Sequence, residues 1–166
     1  MEVHRRARER FPDEALREAV TMALYVTLVL AAEFAAIGHE AASVALSLGV
    51  IWSTTVGLTA IHLFAFGLAA RLVEGGHLSY ENKVAAILQV VASLSIAALV
   101  SLPFLLLPIA VASELAGWVT AAVLGVTAYA MARTSGGSHG RSFITGLVVL
   151  GVASLLVTLK VLLSGH

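Results

Sequence analysis

The sequence predicts an all-α, polytopic membrane protein of five transmembrane helices, with its N-terminus inside and its C-terminus outside. Three observations carry this. The chain of 166 residues is 59% hydrophobic with 12% charged residues and a mean hydropathy of +0.95, whereas globular domains carry about 25% charge. Short polar breaks cut the apolar sequence into span-sized runs. Lysine and arginine cluster in alternate connections, as the positive-inside rule requires.

Residues 1–18, "MEVHRRARERFPDEALRE", form a charged, basic segment expected in the cytoplasm, ahead of a transmembrane domain over 19–163. Pro12 and Asp13 read as a helix start, with Glu14 at the positive helix end and Asp13 and Arg17 at helical pair spacing. The first span is expected over about 16–37. The charged stretch is long for a signal-peptide leader and acidic residues crowd the entrance of the run, so the span is read as retained. Gly38, His39 and Glu40 break the chain. The second run, about 42–70, is long for a hydrocarbon core of about 30 Å and should tilt, protrude or kink. A polar loop, "RLVEGGHLSYENK", follows, with Gly75 and Gly76 as breakers.

Between residues 84 and 132 Glu114 is the only charged residue. That length suits two spans, about 84–104 and 113–132, parted near Pro103 and Pro108. Ser113 is expected to cap the fourth helix, with Glu114 in its first turn. "RTSGGSHGRS" is a Gly/Ser loop before the fifth span, about 143–163. The basic residues Arg71, Lys83, Arg133 and Arg141 flank the second and fourth connections, on the same side as the N-terminal cluster. The expected location is a bacterial inner (plasma) membrane, crossed several times.

Ionisable residues inside spans cost on the order of 3 kcal/mol at mid-membrane, and are functional candidates by default. Thr55, Thr59 and His62 share one face of the second helix at i, i+4 and i+7, continued by Phe66. Histidine titrates near physiological pH, so this face is a candidate pathway. Its bland alternative is interhelical glue, with the hydroxyls bonded to their own backbone. Gln89 and Ser93 head a polar stripe, with Ala97 and Ser101, on the third span; Gln89 could neighbour His62 if the two spans pack as a hairpin. Glu33, Glu114 and Lys160 fall at similar depth in the outer leaflet, an expected charge cluster. Glu114 and Lys160 also suit helix ends near the interface. Gly117, Ala121 and Gly125 form a small-xxx-small stripe for close helix packing, and Gly151, Ser154 and Thr158 make a similar patch. Trp118, Tyr80 and Tyr129 suit the interface, while Trp52 and Tyr25 lie deeper, where packing is expected.

Zero net charge and no cysteine leave no field for nucleic acid, no disulfide and no thiolate chemistry. No phosphate loop, metalloprotease or serine-hydrolase motif, voltage-sensor helix or potassium-filter run is present. No enzymatic activity, metal or cofactor is expected. The expectation is a channel or transporter for an ion or proton, self-associating in the lipid bilayer because one five-helix bundle has little room for a gated path. The alternative is a non-catalytic accessory or scaffold subunit docking into a larger membrane complex.

Overall fold

The computed structural model describes residues 13–37, 43–73, 75–134 and 136–164. The "RRARER" cluster and the break at Gly38, His39 and Glu40 lie outside them. The described residues form five helices: α1 (Asp13–Ile37), α2 (Val44–Val73), α3 (Tyr80–Leu106), α4 (Ile109–Thr134) and α5 (His139–Ser164). The first four are long and apolar enough to cross a membrane; the apolar stretch recognised in α5, His139–Val152, is shorter.

Local chemistry sets the ends. The Gly76 N–H reaches back to the Arg71 carbonyl (2.8 Å), with Gly75 and Gly76 at positive φ; glycine accepts that backbone without a Cβ clash. Ser79 caps α3, its hydroxyl accepting from the Asn82 N–H. Pro103 sits inside the last turn of α3, where the helix has few bonds left to lose, and Leu107 donates to its carbonyl (2.9 Å). Leu107 is extended (φ −130°, ψ 158°), as the residue before Pro108 must be.

The chain therefore turns at Leu107 and Pro108, and α4 begins at Ile109. This corrects the expected cap at Ser113. With Pro108 supplying the turn, the Ser113 hydroxyl donates to the Ile109 carbonyl (3.1 Å) and Glu114 falls beyond the first turn.

α1 is the hub. It packs along α3 most extensively and touches all four other helices, while α2, α3, α4 and α5 form an arc around it in chain order. Lipid is as apolar as leucine, so close packing and interhelical bonds, rather than water exclusion, hold such helices together. Buried positions accordingly recur every four residues and are mostly small on three helices: Ala85, Gln89, Ser93, Ala97 and Ser101 on α3; Ala112, Ala116, Thr120, Leu124 and Ala128 on α4; Ser47, Ile51, Thr55 and Thr59 on α2. Met22, Val26 and Leu30 fill the α1 side. Except for Thr55, hydroxyls in these stripes donate within their own helices, as in Ser101 to the Ala97 carbonyl (2.7 Å), and Thr27 on α1 does the same to the Ala23 carbonyl (2.7 Å).

Tyr25 and Trp52 are exposed, not packed as expected. Lipid offers a large ring the same apolar surroundings as a core does, so nothing drives either inward. The α4–α5 crossing is close: a Cβ on Gly146 would lie 3.4 Å from the Gly125 carbonyl, and one on Gly125 would lie 3.3 Å from Leu150.

Candidate functional site: a polar seam between α1, α2 and α3

Helix direction places the start of α1, the end of α2 and the start of α3 at one end of the bundle, together with Arg17, Arg71, Lys83, Arg133 and Arg141. At this basic end a cavity of about 380 Å³ opens between α1, α2 and α3. Glu14 and Glu18 from α1 and Glu81 and Asn82 from α3 line it on the polar side; Phe66, Ala69 and Ala70 of α2 wall it. Arg17 bridges Glu14 (3.2 Å) and Glu18 (3.7 Å), pairs exposed enough to contribute little to stability.

Going deeper, one turn past Ala85 on α3 lies Gln89, and one turn before Phe66 on α2 lies His62. Ala85 and Phe66 both line the cavity, so Gln89 and His62 end at the same depth beyond its floor. Gln89 is fully buried and its Nε2 donates to Glu18 Oε2 (3.4 Å). Its Oε1 is buried with no hydrogen-bond partner among the described residues, as are His62 Nε2 and Thr55 Oγ1. Between these depths Thr59 donates to the Thr55 carbonyl (2.6 Å) and Ser93 to the Val90 carbonyl (3.0 Å).

The seam ends in an apolar plug. Ile51, Leu30, Val100 and Phe104 are buried, and Phe104 stacks on Phe34 with centroids 6.0 Å apart. A polar file thus runs inward from the basic end and is closed at the far end by aromatic and branched side chains. Three orphaned buried polar atoms would each cost about 1–3 kcal/mol, a cost that waters or a hydrated ion along the file would remove.

Thr55 and Thr59 are buried on α2 and Gln89 and Ser93 on α3, two helices that pack against each other. His62 is half-buried, and the bond of the Gln89 amide goes to α1. Glu18, Glu14 and Glu81 were not singled out as site residues from sequence; the i, i+4 pair Glu14 and Glu18 at the same end as Glu81 was the available signal. Glu33 on α1 is half-buried and Glu114 on α4 is exposed, while the side chain of Lys160 lies outside the described residues. Gly117, Ala121 and Gly125 are half-buried, one position over from the most buried stripe of α4. A Cβ on Gly117 would meet nothing within 4 Å, unlike one on Gly125. Gly146, which sequence reasoning passed over, is the buried partner at that crossing. Among the described residues no three His, Asp or Glu side chains are grouped to hold a metal ion.

Comparison with protein-family models, with curated proteins and with solved structures finds no match to this chain.

Proposed function

We propose that the protein is a small membrane channel or transporter for an ion or proton, with five spans, the basic end in the cytoplasm and the C-terminus outside, acting as a homo-oligomer in a bacterial inner membrane. The observation that carries the reading is the file of orphaned polar atoms, Gln89 Oε1, His62 Nε2 and Thr55 Oγ1, leading from an acid-lined cavity toward an apolar plug. The carboxylates would gather cations at the cytoplasmic mouth. Gln89, His62 and the threonines would replace part of the hydration shell further in. The plug around Phe34 and Phe104 would be the gate. Self-association is supported by α2, where only one narrow stripe of a 30-residue helix is buried, leaving most of its surface for lipid or a second copy.

Orientation has its own check. A reporter fused after His166 should lie outside the cytoplasm and one inserted at Gly136 inside; a cytoplasmic signal from the C-terminal fusion overturns the five-span orientation.

The function is tested in liposomes. The parent should carry ion flux, and His62→Gln, which keeps hydrogen bonding but removes the imidazole from the file, should change its rate without unfolding the protein. A second reading, an accessory subunit, is favoured by Gly49, Ser53 and Gly57, which form an exposed four-residue-spaced small stripe on the outer side of α2 suited to a docking helix. No flux of any common ion, together with a loss of about 1 kcal/mol in His62→Leu from interhelical glue, would replace the transport reading by that one.

A further inference from the structure

The cavity at the basic end is richer in acceptors than in donors. Its three carboxylates, Glu14, Glu18 and Glu81, come from two helices and can only accept. One guanidinium, that of Arg17, answers both Glu14 (3.2 Å) and Glu18 (3.7 Å). Glu81 is exposed and has no basic partner among the described residues. Behind Glu18, the fully buried Gln89 amide spends a donor on that carboxylate (3.4 Å) and keeps an oxygen without a partner. The facing wall is apolar, made by Phe66, Ala69 and Ala70 of α2. Such a place fits a side chain with an apolar stem and a head that only donates, which describes arginine. A guanidinium also stacks favourably on an aromatic ring.

The same chain carries that side chain four times beside the cavity. Residues 1–12, "MEVHRRARERFP", precede the first described residue and hold Arg5, Arg6, Arg8 and Arg10 against Glu2 and Glu9. They join α1 at Asp13, immediately before Glu14 on the cavity wall. At no more than about 3.5 Å per residue, Arg10 can stand up to about 14 Å from Glu14 and Arg5 up to about 30 Å. Packed helices lie about 8–10 Å apart, so Glu81 on α3 is within that reach. A tethered segment meets its site at an effective concentration of about millimolar, and weak surface pairs then suffice. Anionic headgroups attract the same arginines, but Glu14 and Glu18 stand within two turns of the tether.

We propose that the arginine segment of residues 1–12 docks in this cavity of its own chain. Its guanidiniums pair with Glu14 and Glu81, and their stems lie on the α2 wall. As regulation this rests on the transport reading: a docked segment fills the inner mouth of the seam and keeps cations from it. Exposed pairs of this kind weaken as salt rises, so docking loosens with ionic strength.

The test uses introduced cysteines, since the chain has none of its own. Full-length protein carrying Ala7→Cys and Val73→Cys has one possible disulfide within the chain; Val73 lines the cavity and is 85% exposed. Ala7→Cys with Gly140→Cys is the control, because Gly140 is exposed on α5 at the same end and outside the cavity lining. In phosphatidylcholine nanodiscs under mild oxidant, the first pair should form a looped monomer about fivefold faster than the control, the bias that exposed charge pairs supply at best. Adding Glu14→Gln and Glu81→Gln, both at exposed positions, should remove most of that advantage. Equal rates for the two pairs, indifference to the two glutamines, or a crosslinked dimer in place of the looped monomer would overturn the proposal. Loss of the crosslink in phosphatidylglycerol discs would also overturn it and assign the arginines to anionic lipid. In liposomes the crosslinked protein should lose most of the flux carried by the same protein after reduction. Equal flux in both forms would overturn the plug. Absence of flux in both would overturn the transport reading, while the crosslinking rates decide the docking on their own.

Discussion

Gln89→Leu should lower ion flux in liposomes by about tenfold or more, with little change in melting. The amide is fully buried, its nitrogen donating to Glu18 and its oxygen unpartnered. Contact of the unpartnered oxygen with a passing charged group would contribute about 1.5–3 kcal/mol, and loss of about 1.4 kcal/mol from a barrier's stabilisation is tenfold in rate. The stability effect runs the other way in part. Leucine has similar volume and removes an orphaned oxygen, which offsets the loss of one long bond, itself worth under about 1 kcal/mol in a membrane interior. Transport and stability thus separate in this variant. If flux remains within about twofold of the parent, the seam between α1, α2 and α3 is not the path, whatever else the protein conducts.

The largest stability loss should come from Phe104→Ala. This side chain is 3% exposed, stacks on Phe34 and closes the far end of the seam. In lipid no water-exclusion term accompanies the truncation, so the cost is the cavity. Removal of roughly 100 Å³ at about 24 cal/mol per Å³ amounts to about 2 kcal/mol. Leu106, 75% exposed two residues later, is the control, and its alanine variant should unfold like the parent. Equal unfolding curves for the two variants in bicelles would move the core elsewhere. The gate reading adds that Phe104→Ala should leak ions in liposomes faster than the parent.

Several features were legible without coordinates because they are one-dimensional. Where a helix can run depends on how long the sequence stays apolar, and where it must stop depends on residues such as Gly75, Gly76, Pro108, Gly136 and Gly137. The face shared by Thr55, Thr59 and His62 follows from the angle of 100° per residue alone. The cap at Ser113 was misjudged because a serine before a glutamate is a good start signal only when nothing stronger precedes it. Pro108 does: it forces Leu107 into extended backbone, and the residues after it already have helical freedom.

Composition and the spacing of its breakers determined that this chain is helical and suited to lipid, because backbone polar groups must be satisfied within each segment there. Which helix became the hub was left to the tertiary structure. All the spans are similarly apolar and lipid does not sort them by hydrophobicity, so close packing chooses the neighbours. That choice seats α1 against α3, brings Glu18 to Gln89 across 71 positions of sequence, and puts three acids around one cavity mouth. It also sets Gly146 against Gly125 while leaving Gly117 open. Side-chain spacing along one helix names a face; only the fit between helices decides what that face meets.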